Sequence, residues 1–494
     1  MTDFLMALDQ GTTSTRAVIF TSRGEVISQH QLAIQLSYPQ NAWIEQDLEA
    51  IWNTTVTCIQ QALQQANLEA RDIAAMGISN QRETTCVWNK ETHTPIYPAI
   101  VWQDRRTADL CDTLSKQPST TQLLQDKTGL LPDPYFSATK LAWILDHVEG
   151  ARADAESGKL AFGTIDSFLL WRLTGGNVHL TDATNASRTL LFNINTQAWD
   201  EDLLELFKIP ANMLPTVCDS AHAFGEIHSS LFGSPIPITG VLGDQQAATV
   251  GQCCFKPGMI KSTYGTGCFM LLNTGEQKVT SQHRLLTTVA YRINQHTTYA
   301  LEGSIFMAGA TVQWLCDILG LIKDAKDTQA LAEKIDHTNG VYLVPAFTGL
   351  GAPYWDPDAR GALVGLTRDS RIEHIARAAL EAVCYQTNDL MQAMLSDYDG
   401  SIGTLRVDGG MSSNDWLLQF LSDILHTPVQ RPECIESSAL GAAWIAGLGL
   451  GLFESLHDLS QHWVLKYGFE PSMSASHRND LIKGWDQAVA RVIQ

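Results

Sequence analysis

The order of apolar runs and turns predicts an α/β protein built from two domains. Three observations carry that reading. The chain has 494 residues, more than one hydrophobic core usually serves. Short strand-like apolar runs alternate with helical spacings in both halves. A hairpin with a Gly/Thr tip occurs near the start, at Gly11-Thr12-Thr13-Ser14-Thr15, and again at Tyr264-Gly265-Thr266-Gly267. The echo is too short to establish a duplication by itself.

Taken in order, Phe4 to Leu8 reads as a buried strand stopping at the polar turn Asp9-Gln10-Gly11. Arg16 to Phe20 resumes as a second strand, and Ser22-Arg23-Gly24-Glu25 turns it into a third near Val26-Ile27. A helix follows, with Asp47 as N-cap and Leu48, Ile51, Trp52, Val56, Ile59 and Leu63 at helical spacing. Ile73 to Ser79 is another strand and delivers Asn80-Gln81-Arg82-Glu83 at its end. The second unit starts near residue 255, where Lys256-Pro257-Gly258 breaks the chain and Met259 to Leu272 forms two strands. Leu405-Arg406-Val407 runs into Asp408-Gly409-Gly410. The helix after it places Trp416, Leu417, Phe420, Leu421, Ile424 and Leu425 on one face.

Composition narrows the function. With 45% hydrophobic and 17% charged residues, the chain reads as an ordinary globular protein. A formal net charge of -20 argues against nucleic acid and anionic membranes as partners. No apolar run approaches the roughly 20 residues that span a bilayer. Ten scattered cysteines without a Cys-x-x-Cys pair suit free thiols in a reducing cytoplasm.

Four segments can carry chemistry. The Asp9-to-Arg16 hairpin can aim backbone N–H groups and hydroxyls at phosphate oxygens, with Asp9 suited to a hydrated Mg²⁺. A solvated turn accounts for the same residues. No Gly-x-x-x-x-Gly-Lys-Ser/Thr is present, which excludes a Walker-type cradle. Gly447-Leu448-Gly449-Leu450-Gly451 follows a helical stretch and reads as a helix end. Ile238 to Gly243 is a strand ending in Asp244, placed either to accept a proton from an attacking hydroxyl or to cap a helix. Arg82 and Glu83 suit the hydroxyls of a small polyol, with Tyr135, and Trp102 supplies a wall; a surface ion pair is the alternative. Gly409-Gly410 permits close approach to a flat ring, or simply makes a tight turn.

Together these segments resemble the FGGY carbohydrate kinase family, over nearly the whole chain. Both signature stretches are present. One is Tyr135-Phe136-Ser137-Ala138-Thr139-Lys140-Leu141-Ala142-Trp143-Ile144; the other runs from Gly361 through Gly365-Leu366 and His374-Ile375 to Glu381. Asn80-Gln81-Arg82-Glu83 is similar to the motif of members that act on glycerol. The resemblance implies two ribonuclease H-like (actin/hexokinase-like) ATPase domains flanking a cleft: residues 1–252 with the polyol and phosphate loop, and 253–455 with the nucleotide site; the more polar residues 456–494 read as a peripheral helical tail. It implies ATP-dependent phosphorylation of glycerol, with ATP/ADP and Mg²⁺ bound.

By resemblance, Arg82, Glu83, Tyr135, Asp244 and Gln245 bind glycerol, Trp102 and Phe269 flank its carbons, and Asp244 is the general base. Thr12, Thr13, Ser14, Arg16 and Thr266 line the phosphate path. Gly309, Gln313, Gly410 and Asn414 hold the nucleoside, and Asp9 positions Mg²⁺ through water. A homo-oligomer, dimer or tetramer, is implied as well. The chain departs from some bacterial members in two places. Ser229-Ser230-Leu231-Phe232-Gly233-Ser234-Pro235 lacks the Lys or Arg that would neutralise a sugar bisphosphate, and Pro471-Ser472-Met473-Ser474 lacks the acidic character of a segment bound by a sugar-transport protein. Neither control is expected here.

Overall fold

The computed structural model describes residues 4–354, 356 and 358–493. The first sheet runs Ala221–Glu226, Pro237–Gly243, Ile73–Asn80, Phe4–Gln10, Ser14–Thr21, Val26–Ala33. Phe4–Gln10 is antiparallel to the strand after it and parallel to Ile73–Asn80, which is parallel in turn to Pro237–Gly243. Its residues Leu5 to Leu8 are fully buried, so a continuous apolar run is what the position demands.

The second sheet runs Leu286–Ile293, His296–Ile305, Cys268–Gly275, Ile260–Tyr264, Leu405–Asp408, Val429–Pro432, Leu465–Phe469. With the edge strands Ala221–Glu226, Leu286–Ile293 and Leu465–Phe469 set aside as additions, each lobe's strands lie in the order third, second, first, fourth, fifth. The first-to-second hairpin is antiparallel and the first-to-fourth pair parallel in both lobes. The Gly/Thr hairpin echo is therefore one corner of a repeated lobe.

The helices behave as their caps and spacings predict. Leu48–Ala66 starts at Asp47, whose side chain accepts from the Glu49 N–H, and ends at Asn67 in the left-handed region. Its buried face includes Leu48, Ile51, Cys58, Ile59 and Leu63, while Trp52 and Val56 are only half-buried at the edge of the stripe. Asp415–Leu425 buries Leu417, Phe420, Leu421, Ile424 and Leu425, and Trp416 stacks on Phe420 at 5.2 Å. Gly451 ends the helix Ser437–Leu450 in the left-handed region, so the Gly-Leu-Gly-Leu-Gly run is a helix end.

The helix after each lobe's fifth strand rests on the other lobe. Ser437–Leu450 follows the second lobe's fifth strand, yet Leu440, Ala443 and Trp444 pack against Leu5, Ala7, Val18 and Phe20 of the first sheet. Asp244–Gly251 follows the first lobe's fifth strand, and its Ala247 and Val250 join Leu271, Ala290 and Tyr291 of the second. The two helices also touch each other closely. A Cβ on Gly441 would sit 1.8 Å from the Ala247 carbonyl oxygen, and one on Gly251 2.1 Å from that of Ser437.

The segment expected as a helical tail is more than that. Leu465–Phe469 adds an edge strand to the second sheet, and Ala475–Val489 buries Trp485 completely in the second lobe's core. Trp485 Nε1 donates to Asp389 at 2.8 Å. Polar composition hid this, because an edge strand needs few apolar residues. Among the described residues no helix is long and apolar enough to cross a membrane, and all ten cysteines are free.

Candidate active site

The first lobe's fourth and fifth strands end side by side, with Asn80 opposite Gly243. A buried polar scaffold sets these ends. The Asn80 and Asn185 amides donate to each other at 2.9 and 3.1 Å, and Gly243 N–H donates to Thr184 Oγ1 at 2.9 Å. Asp182 organises the Thr184–Asn185 turn by accepting both backbone N–H groups at 3.0 Å. Each contact satisfies a group that would otherwise be costly to bury.

Beyond these ends lie Arg82 and Glu83, buried rather than at the surface. Glu83 takes φ +61, a left-handed conformation unfavourable for a side chain. Gly243 makes room for Arg82: a Cβ there would lie 2.7 Å from Arg82 Cδ. Arg82 Nε stands 3.3 Å from Asp244 Oδ1, while its terminal nitrogens reach Glu302 Oε2 at 2.5 Å and Oε1 at 3.1 Å. A surface ion pair is thereby replaced by a buried charge cluster, whose disruption typically costs about 3–5 kcal/mol.

Asp244 is the first helical residue, with Gly243 as the cap and no side-chain cap bond, so helix capping does not explain it. Its Oδ1 accepts from Gln245 N–H at 2.7 Å. Among the described residues Oδ2 accepts no hydrogen bond, and the side chain is 29% exposed. Burial pushes the carboxyl above its ordinary range, opposed by Arg82 and Lys261. Gln245 is oriented by the buried Lys261, whose ammonium donates to Gln245 Oε1 at 2.5 Å and to Thr263 Oγ1 at 3.0 Å. Among the described residues the Gln245 side-chain amide N–H groups donate to no protein acceptor.

Aromatic rings gather beside these charged groups. Trp102 lies 5.5 Å from Tyr135 and 6.2 Å from Phe269, both edge-on, and Arg82 sits 5.8 Å over the Phe269 ring. Trp102 Nε1 donates to Thr12 Oγ1 at 2.9 Å, so the hairpins of both lobes meet at this indole. Of the other hairpin residues, Thr13 is exposed and Ser14 Oγ accepts from Gln31. Arg16, expected at phosphate, is engaged by Glu436 at the start of the helix Ser437–Leu450.

The residues expected at the nucleoside form one patch on the second lobe. Gly309 N–H donates to Gly265 O at 3.0 Å, and Ala308 and Ala310 donate to Thr266 O at 3.0 Å, tying the hairpin to the helix Gly309–Gln313. Gln313 and Gly410 are exposed. The adjacent glycines differ. Gly409 has φ +86 and a Cβ there would meet Tyr264 O at 2.5 Å, whereas a Cβ on Gly410 would meet nothing within 4 Å. Asn414 Oδ1 accepts from Leu417 N–H at 2.9 Å and caps Asp415–Leu425.

Asp9, at the end of the central strand, is pushed up by burial against the pull of Arg16. Among the described residues there is no cluster of three or more His, Cys, Asp or Glu that would cage a metal. One carboxylate beside a hydroxyl-rich hairpin fits a hydrated Mg²⁺ that completes its shell with water and phosphate oxygens.

Two residues were invisible to the sequence reading. Arg188 Nε donates to Glu83 Oε1 at 2.6 Å and its terminal nitrogen to Glu302 Oε1 at 2.8 Å. Glu302, on His296–Ile305, bridges both arginines, which hold its carboxyl down at about 2. No local motif flags either; an Arg after Asn185-Ala186-Ser187 and a Glu within a strand are the only signals.

Residues 4–251 match the FGGY family of carbohydrate kinases, N-terminal domain, and residues 260–450 the C-terminal domain of that family. The chain is 57% identical over 493 residues to glycerol kinase of Coxiella burnetii, covering 100% of this chain and 98% of the relative. The crystal structure of Plasmodium falciparum glycerol kinase with ADP superposes with a TM-score of 0.93 at 35% identity, covering 100% and 99% of the two chains. A ligand-bound xylulose kinase from Lactobacillus acidophilus shares the fold, with a TM-score of 0.88 at 22% identity and 98% and 97% coverage.

Proposed function

The chain belongs to the FGGY family of carbohydrate kinases, and from that premise we propose that it transfers the γ-phosphoryl group of ATP to a terminal hydroxyl of glycerol, giving sn-glycerol 3-phosphate and ADP. The observation that carries the reading is the Arg82–Asp244 pair at 3.3 Å beside the Trp102, Tyr135 and Phe269 rings. Charged groups of both signs suit vicinal hydroxyls, and ring faces suit C–H groups. The relatives named for glycerol at 57% identity select that polyol over pentuloses.

Arg82, Glu83, Tyr135 and Gln245 bind and orient the hydroxyls. Asp244 accepts the proton of the attacking hydroxyl on Oδ2 as the new O–P bond forms and the bond to the leaving ADP breaks. Thr12, Thr13, Ser14, Arg16 and Thr266 line the phosphate path, and Gly309, Gln313, Gly410 and Asn414 hold the nucleoside. Asp9 would hold Mg²⁺ through water, where the ion supplies charge neutralisation for the phosphates. The rest of the rate comes from alignment, and closure of the lobes keeps water from competing as acceptor. The enzyme works in the cytoplasm as a homo-oligomer.

The test is ADP release with ATP and Mg²⁺, measured with glycerol and with erythritol and dihydroxyacetone, and compared by kcat/KM. ADP release that ignores added glycerol would point to an actin-like ATPase instead. A higher kcat/KM with another polyol would move the substrate assignment. Chelating Mg²⁺ should abolish turnover, and fructose 1,6-bisphosphate should leave it unchanged.

A further inference from the structure

Four buried charges stand behind the acceptor pocket: Arg82 (3% exposed), Glu83 (1%), Arg188 (0%) and Glu302 (1%). They are two cations and two anions, and Arg82 also faces Asp244 at 3.3 Å. Arg82 and Glu83 belong to the proposed glycerol site; the other two have had no role so far. Glu302 takes both terminal nitrogens of Arg82, and Arg188 takes Glu83 through Nε. Glu302 Oε1 accepts from both arginines, at 3.1 and 2.8 Å, so the two halves of the set cannot shift independently. Arg188 is braced further by the Tyr135 and Phe136 rings, at 5.6 and 5.4 Å. Glu302 comes from the second lobe and the other three from the first.

We propose that Arg188 and Glu302 are positioning residues that align Glu83 and Arg82 as one unit for the acceptor, with Glu302 linking that alignment to the seating of the second lobe. The inference rests on the glycerol-kinase reading. Removing Glu302's charge leaves Arg188 with Glu83 alone, and Arg82 with Asp244 and the more distant Glu83. Removing Arg188's leaves Glu83 and Glu302 with one cation. Removing both restores the balance, with Arg82 and Glu83 remaining.

The experiment compares Glu302→Gln, Arg188→Met and the double variant with the parent enzyme, reading melting temperature and the KM values for glycerol and ATP. Each single variant should raise the glycerol KM by roughly 10²-fold, the scale of a 1 Å misplacement. The ATP KM should stay within about threefold. The double variant should be no worse than the poorer single, instead of the roughly 10⁴-fold that independent effects multiply to. It should also melt higher than either single, because no unpaired charge stays buried.

An unchanged glycerol KM in variants that merely melt lower overturns the proposal, and so does full multiplication in the double. Should neither single fold, the charge-balanced double carries the test, and an unchanged glycerol KM in it overturns the proposal. A parent that leaves glycerol unphosphorylated sinks the proposed function itself; an active parent with unmoved variants sinks this inference alone.

Discussion

Strands Ile73–Asn80 and Leu405–Asp408 hold the same place in their two sheets, yet one runs into Gln81-Arg82-Glu83 and the other into Gly409-Gly410. At the first end the chain buries charge, accepts a φ of +61 at Glu83, and surrounds Arg82 with carboxylates. At the second it presents bare backbone and an exposed Gly410. A small neutral polyol offers little but hydroxyl direction, so its site needs fixed side chains. A nucleotide brings its own charge and a flat ring, and needs mainly a surface without obstruction. On the proposed reading, one topology serves two ligands through a change in the few residues at the end of one strand.

That contrast can be broken most sharply at Asp244. Asp244→Asn should lower kcat by about 10³-fold, within the range a general base contributes, with the ATP KM near normal. Retained turnover would remove it as the base. The parent's kcat/KM should fall as pH drops through a value above the ordinary Asp range of about 4. The sign comes from burial: a raised carboxyl is ionised, and able to accept a proton, only above its shifted value.

A smaller effect separates the two strand ends. Gly243→Ala intrudes on Arg82 and should raise the glycerol KM by roughly 10-fold to 10²-fold while sparing ATP. Gly410→Ala meets no protein atom, so it should leave the melting temperature unchanged and raise only the ATP KM, by about fivefold or one kcal/mol. Its neighbour is the control: Gly409→Ala should lower stability by at least about 1 kcal/mol, because its φ of +86 disfavours a side chain. If Gly410→Ala moved the melting temperature instead, the backbone-built description of the second site would fail. The smallest effect belongs to Asn414→Ala, which should cost about 1 kcal/mol of stability through the lost cap.

Legibility in the sequence tracked locality. Strand ends, caps and hairpin tips are written in adjacent residues, and so Asp47, the Thr12 hairpin and the strand before Asp244 could be read directly. The roles of Asn80-to-Glu83 needed resemblance, since an adjacent Arg and Glu look the same buried or exposed. Arg188 and Glu302 were out of reach because their partners lie 105 and 220 residues away, and no spacing rule spans such distances. The strand Leu465–Phe469 was missed for a different reason: an exposed edge carries no alternation to detect.

The exchanged helices have a consequence for where the chain can be cut. Severing it near residue 252 would not liberate two autonomous halves. The amino-terminal fragment would lose the cover over Leu5, Ala7, Val18 and Phe20, exposing a sticky apolar face. The carboxyl-terminal fragment would lose Ala247 and Val250 from their seat on Leu271 and Tyr291. Co-expressed fragments should reassemble while each alone precipitates, and during biosynthesis the amino-terminal half must wait, incompletely clad, for Ser437–Leu450 to emerge from the ribosome.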